Sequence, residues 1–197
     1  MIMNFTGLLA ASIALFIILD PFLSSAVFVG MMKRATRRQI NSGAFVASGV
    51  AFSLLVAFLL IGDPLLNYLG IDFGSFKVAG GIILLIMGVE QVLGLEFKKS
   101  HESFKTAVVV IGTPLLAGPG ALSTVLIFEQ QYGFWIPFIA VALVCALTYI
   151  ILDFSHLVHK LVGAQLIEIA SRVMGLLLAG LAVTYIKQGI MLIVSGA

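Results

Sequence analysis

Asp20 is the residue best placed to do chemistry: a carboxylate inside an apolar run that stretches from Gly7 to Gly30. An ionised carboxylate at the centre of a bilayer costs at least about 2.5–3.5 kcal/mol on insertion scales, so it takes up a proton readily or finds a partner. The chemistry open to it is binding of a substrate ammonium, carriage of a coupling proton, or both in turn. Pro21 follows. Proline lacks an N–H and clashes with the carbonyl four residues back, so it frees the carbonyl of Ile17. Ser24 and Ser25 come next. A second interruption reads Thr113-Pro114-Leu115-Leu116-Ala117-Gly118-Pro119-Gly120, with Ser123 and Thr124 behind it. Pro114 frees the carbonyl of Val110 and Pro119 that of Leu115, while Gly118 and Gly120 permit backbone angles that a helix does not use.

Each interruption offers two poles. Free carbonyls before it suit a cation; free N–H groups after it suit an anion. A paired arrangement suits a zwitterion such as an amino acid. The candidate substrate-binding residues are therefore Asp20, Pro21, Ser24, Ser25, Thr113, Pro114, Gly118, Pro119, Gly120, Ser123 and Thr124. Asp20 is also the candidate for proton coupling. The hydroxyls would cap the new helix starts or meet a ligand. The plainer alternatives are a proline kink that only shapes a helix, and a protonated Asp20 bonded to a neighbouring helix.

The elements that hold these residues are set by composition. The chain has 197 residues, 61% of them apolar and 10% charged, with a mean hydropathy of +1.18. A soluble domain carries about 25% charged residues because its surface faces water. A spanning helix needs about 20 mostly apolar residues, and six runs qualify: 5–32, 43–62, 76–95, 107–128, 134–152 and 172–194. No composition shift marks a second domain, so residues 1–197 read as one transmembrane domain. The N-terminus lacks the basic region of a signal peptide and reads as a retained first helix.

Orientation follows from the basic residues. Lys33, Arg34, Arg37, Arg38, Lys98, Lys99, Lys105, Lys160 and Arg172 fall at one side; only Lys77 and Lys187 lie near the other, beside Asp63, Asp72 and Glu129. The odd-numbered linkers are thus expected in the cytoplasm and both termini outside, in a multi-pass protein of the cell (inner) membrane. Lys77 is expected to snorkel to the outer headgroups. Glu90 is expected to reach the cytoplasmic interface, and Tyr185 to be a packing residue.

Three spans per half place the halves in opposite orientation, the architecture of many secondary transporters. Asp20-Pro21 matches Thr113-Pro114, Asp63 matches Asp153, and Lys77-Val78-Ala79-Gly80 matches Arg172-Val173-Met174-Gly175, at offsets of 93, 90 and 95 residues. The expected fold is an all-α membrane protein. Its six transmembrane helices form two inverted-topology three-helix repeats, about 1–100 and 101–197, with helices 1 and 4 broken.

Other chemistry has little support. Asp153, His156 and His159 sit three residues apart, one face of a helix, but in a linker where ionisable groups are expected. No metal site is assigned and no cofactor is expected. The motifs of zinc proteases and serine hydrolases are absent, as are a phosphate-binding loop and a second intramembrane aspartate, so an enzyme is not expected. The basic cluster at 33–38 is a topology signal rather than a nucleic-acid site. Cys145 is a lone cysteine in an apolar run, which excludes a disulfide framework.

The segment Thr113-Pro-Leu-Leu-Ala-Gly-Pro-Gly-Ala-Leu-Ser-Thr124 closely resembles the MarC/SnatA family of small integral membrane proteins. Asp20-Pro21, Phe76-Lys-Val-Ala-Gly-Gly-Ile-Ile-Leu-Leu85 and Arg172-Val-Met-Gly-Leu-Leu-Leu-Ala179 extend the likeness over nearly the whole chain. The resemblance implies six helices and transport of small neutral amino acids such as glycine and alanine, linked to a proton or another cation. Family members often carry Asn/Asp-Pro-x-Gly-x-x-Pro at the first break; this chain has neither that glycine nor the second proline. A passive channel, an exporter of drugs or other metabolites, and a non-transporting assembly partner are the alternative functions. A homo-oligomer is compatible with all of them.

Overall fold

A computed structural model describes residues 5–32, 35–94 and 116–195. Among them every regular element is helical: α1 (Phe5–Leu19), α2 (Pro21–Met31), α3 (Arg37–Leu69), α4 (Phe73–Leu93), α5 (Pro119–Tyr132), α6 (Trp135–Asp153), α7 (Ser155–Val162) and α8 (Ala164–Ser195). Five segments are long and apolar enough to cross a membrane: Phe5–Gly30, Arg37–Leu69, Phe73–Leu93, Trp135–Asp153 and Ala164–Ser195. The fourth expected span, 107–128, lies partly outside the described residues. Its described part belongs to α5, whose 14 residues reach about 21 Å at 1.5 Å per residue, short of a hydrocarbon core about 30 Å thick.

Helix ends differ from those expected because caps, not the last apolar residue, end a helix. The second span was expected over 43–62, but α3 runs Arg37–Leu69. Thr36 and Gln39 form a capping box at its start, and Gly70 closes it in the left-handed conformation at φ 67°. Its 33 residues make about 50 Å of helix, so the ends carry polar residues beyond the apolar core. Likewise α8 begins at Ala164, eight residues before the expected 172.

The chain weaves up and down, so Arg37, Arg38, Asp153, Lys160 and Arg172 share one end, here the basic end. The far end carries Asp63, Asp72 and Tyr132. At the basic end Arg37 bonds the Asp153 carbonyl and, at 2.5 Å, its carboxylate; Asn41 reaches the same carboxylate at 3.2 Å. At the far end Asp72 caps α4 by accepting from the Ser75 N–H at 2.8 Å. Hydrogen bonds from the Ser75 side chain and backbone hold the Asp72 carboxyl below its ordinary 3.8. Such a group stabilises the fold fully above its unfolded pKa and stops doing so as pH falls through the folded one. Asp72→Asn, which keeps a capping oxygen but not the charge, is therefore expected to lose a little thermal stability at neutral pH and to flatten part of the further loss on acidification below 3.8.

The interior is built from small side chains. Ala44, Ala47, Ala51, Leu55 and Leu59 form the buried stripe of α3, which packs on α6, where Ala140, Val141, Val144 and Cys145 are buried. The closest pair is α4 with α8, antiparallel. A Cβ added to Gly74 would meet the Gly189 carbonyl oxygen at 3.0 Å; one on Gly81 would meet that of Ala182 at 2.9 Å; one on Gly88 would meet that of Gly175 at 2.8 Å. These contacts recur every seven residues on both helices, the spacing that keeps one seam facing its partner. In lipid no hydrophobic gain drives helices together, so small residues that admit close backbones take over. The outward faces carry Phe45, Leu60, Ile61, Leu176 and Val194, all more than half exposed, as a lipid-facing surface requires.

Candidate functional site

Asp20 lies between α1 and α2 with φ 33°, the one non-glycine residue at positive φ among those described. Aspartate tolerates this region better than most residues because its short side chain bonds locally. Here Oδ1 accepts from the N–H groups of Phe22 and Leu23, both at 3.2 Å, which caps α2. Pro21 at the first helical position has no N–H to satisfy. The Ser24 hydroxyl donates to the Leu19 carbonyl at 3.2 Å and that of Ser25 to Phe22 at 2.8 Å. The two serines therefore tie up carbonyls; the caps come from Asp20 itself.

The other oxygen faces two helices. Oδ2 accepts from the Gln91 side-chain amide of α4 and from the Ser171 hydroxyl of α8 at 3.0 Å. Gln91 also donates to Ser171 at 3.0 Å. Asp20, Gln91 and Ser171 are all buried. A carboxylate has about four acceptor positions on its two oxygens, and four donors occupy them. A substrate ammonium would have to displace Gln91 or Ser171. Neither of those residues stood out in the sequence, where Glu90 drew attention instead. Glu90 is exposed; Gln91, one step round the helix, carries the bond. The readable signal was an amide and a hydroxyl inside apolar helices, where polar side chains bond across to neighbours.

The second interruption is described from Leu116 onward; Thr113 and Pro114 lie outside the described residues. Gly118 precedes α5 without a side-chain cap, and Pro119 takes the first helical position. Gly118 has φ −67° and ψ 169°, an extended conformation open to any residue. Gly120 lies within α5, so unusual backbone angles explain neither glycine. Gly120 is needed for space: a Cβ there would stand 2.3 Å from Cδ2 of Leu84. The Ser123 hydroxyl donates to the Pro119 carbonyl at 2.9 Å and packs on Gly80. Thr124 is buried, and so is Tyr185 of α8 beside it; their hydroxyls have each other as neighbours and no further partner among the described residues.

The candidates thus form two groups. Asp20, Ser24 and Ser25 belong to a cluster completed by Gln91 and Ser171. Ser123 and Thr124 belong to the α4–α5–α8 contact, and no hydrogen bond among the described residues joins the groups. Lys77 departs from expectation: it does not snorkel but is buried, its ammonium donating to Gln188 of α8 at 2.9 Å and lying 5.3 Å over the Phe73 ring. The reason is its face. Lys77 packs directly on Gly189 in the α4–α8 seam, so its stem runs along α8 rather than outward. In the other cluster Asp153 is already held by Arg37 and Asn41.

A cavity of about 280 Å³ opens between α1, α5 and α8. Gln131, Tyr132 and Gln188 line it towards the far end, Tyr185 lies deeper, and Ile17 borders it within one turn of Asp20.

Long apolar helices, lipid-facing outer surfaces and a buried polar tie across three of those helices define a polytopic integral membrane protein. The family model of MarC family integral membrane proteins matches residues 5–194, and the chain belongs to that family. A UPF0056 membrane protein of Aquifex aeolicus is 31% identical over 91% of this chain and 90% of its own. One of Methanocaldococcus jannaschii is 31% identical over 90% and 92% respectively. YhcE of Escherichia coli, also a UPF0056 membrane protein, is 29% identical over 90% and 89%. No solved structure matches the chain.

Proposed function

We infer that this protein is a secondary transporter of small neutral amino acids, such as glycine and alanine, coupled to a proton. The observation that carries the reading is the cavity between α1, α5 and α8. It borders Ile17, the residue whose carbonyl Pro21 leaves without a helical donor. A polar interruption of a span beside a solute-sized space is the arrangement that transporters use. The cavity's volume of about 280 Å³ is ample for a solute the size of glycine or alanine. Ser24, Gly118, Gly120 and Ser123 do not line the cavity; they are proposed to meet the solute at a later stage, as the two interruptions open towards each other. Asp20 is the proposed proton carrier, because protonation would remove acceptor positions now filled by Gln91 and Ser171.

In this reading six helices form two inverted repeats with helices 1 and 4 broken. The basic end is cytoplasmic, and both termini lie outside the inner membrane. The α4–α8 seam supports an internal two-fold. The contact of Gly74 with Gly189 maps onto that of Gly175 with Gly88 at a constant offset of 101 residues (74 to 175, 88 to 189).

Counterflow in proteoliposomes tests the function. Labelled glycine is added outside vesicles loaded with unlabelled glycine, alanine, a bulky amino acid or a drug. Transient accumulation with the small amino acids alone is the expected result. No accumulation with any load, in protein shown to be folded, rules the reading out.

A further inference from the structure

We propose that the cavity between α1, α5 and α8 is a carboxylate-binding site, in which a small solute's carboxylate is received by Tyr185 and Gln188 with Lys77 supplying the charge. This rests on the transport reading for the identity of the solute and adds where and by which group that solute is held. Three observations converge. Lys77 is a buried ammonium, and among the described residues it has no carboxylate partner; its one hydrogen bond runs to the Gln188 side-chain oxygen. A buried cation without an anion is costly, so such charges are paired or bound to a ligand. Next, Gln188 lines the cavity. With its oxygen turned to Lys77, its amide group is left with two donors, polarised by the ammonium behind. Last, Tyr185 also lines the cavity and is 4% exposed, and its hydroxyl has that of Thr124 as its neighbour. Two neighbouring hydroxyls bring two O–H donors and spend one on each other, so one is left for an acceptor in the cavity.

The other end of the same seam shows what is missing. Beside Gly88 and Gly175, the polar side chains of α4 and α8 close on the carboxylate of Asp20. Beside Gly74 and Gly189, Lys77 and Gln188 meet each other and no carboxylate is bonded to either among the described residues. The chain thus supplies an anion of its own at the Gly88 end, whereas the buried Lys77 at the Gly74 end has none among the described residues. A lipid oxyanion shares the required chemistry, so the experiment separates the two sources.

The probe is a cysteine at Ala10, an exposed lining position, in a Cys145→Ala background, labelled with a water-soluble maleimide. Saturating glycine, alanine or acetate is expected to slow labelling, whereas glycinamide, which keeps the ammonium and lacks the carboxylate, does not. Tyr185→Phe and Lys77→Met are expected to raise the half-protecting concentration by about tenfold or more, as loss of a hydrogen bond to a charged group does. Lys77→Arg is expected to retain most of the protection. Tyr185→Phe removes a single oxygen and decides the matter if Lys77→Met does not fold. Equal protection by glycinamide, or unchanged protection in the folded variants, overturns the site. Protection conferred by phosphatidylglycerol vesicles over phosphatidylcholine ones, with no further effect of solute, overturns the solute in favour of lipid. Counterflow on the same proteins keeps the two readings apart. Counterflow without protection removes this site and leaves transport standing; protection without counterflow upholds the site and removes transport.

Discussion

Replacing Asp20 by alanine is expected to destabilise the protein by about 3–5 kcal/mol, read as a fall in the thermal unfolding midpoint in detergent. Three losses contribute. The N-cap of α2 disappears, worth about 1 kcal/mol. The Ser171 hydroxyl is left buried without an acceptor, at about 1–3 kcal/mol, while Gln91 keeps its bond to Ser171. The φ of 33° then falls on a residue that visits that region at a cost of roughly 1–2 kcal/mol. Asp20→Asn separates the terms. Asparagine tolerates the same backbone angle and keeps the capping oxygen. Its amide, however, must now donate where two donors already point, so Gln91 has to turn its own amide round. The expected cost is about 1–2 kcal/mol, the scale of one hydrogen bond to a charged group. Asn cannot shuttle a proton, so coupled uptake is expected to lose its pH dependence in this variant. Full stability in Asp20→Ala would show that the network holds nothing together. A pH dependence that survives in Asp20→Asn would remove the proton role.

The sequence made Asp20 conspicuous, because one charge in an apolar run is visible without any structure. It could not show who holds it. Gln91 and Ser171 lie 71 and 151 residues away, and nothing local marks them as partners of one carboxylate. The spans were legible because lipid imposes a composition on them. Their ends were not, because Thr36, Gly70 and Asp72 stop or start helices by hydrogen bonding, which hydropathy does not record. Gly120 was noticed for the right residue type and the wrong cause: the clash with Leu84 depends on how α5 lies against α4. A test such as Gly120→Leu, aimed at a solute site, would therefore first push Leu84 aside and report on packing. Lys77 failed as a snorkel for the same kind of reason, since which face of α4 meets α8 is settled by the glycines at 74, 81 and 88 rather than by distance to the membrane surface.

Those glycines carry the second large effect. Gly88→Ala is expected to cost about 1–3 kcal/mol, the usual price of forcing atoms into a filled space, and Gly88→Leu to abolish the folded state. The nearest atoms to the added carbon are the Gly175 carbonyl oxygen at 2.8 Å and the Ala179 nitrogen at 2.9 Å. Both are backbone, so no rotamer change relieves the clash; the helices must part. Gly180→Ala on α8 is the matched control. Nothing lies within 4 Å of its added carbon, and alanine is a better helix former than glycine by about 1 kcal/mol, so this variant is expected to be neutral or slightly stabilised. The seam is also coupled to the Asp20 network. A Cβ on Gly175 would stand 2.9 Å from Cβ of Gln91, and Ser171 lies one turn before Gly175 on the same helix. Any substitution that parts α4 from α8 there draws both donors off the Asp20 carboxylate. Gly175→Ala and Asp20→Asn should consequently be non-additive, the double variant losing less than the two single losses together, by the 0.5–3 kcal/mol typical of residues in one network. Strict additivity in the unfolding midpoints would mean that the seam and the carboxylate tie are independent, and that closing α4 on α8 does not position the group that holds the α1–α2 junction.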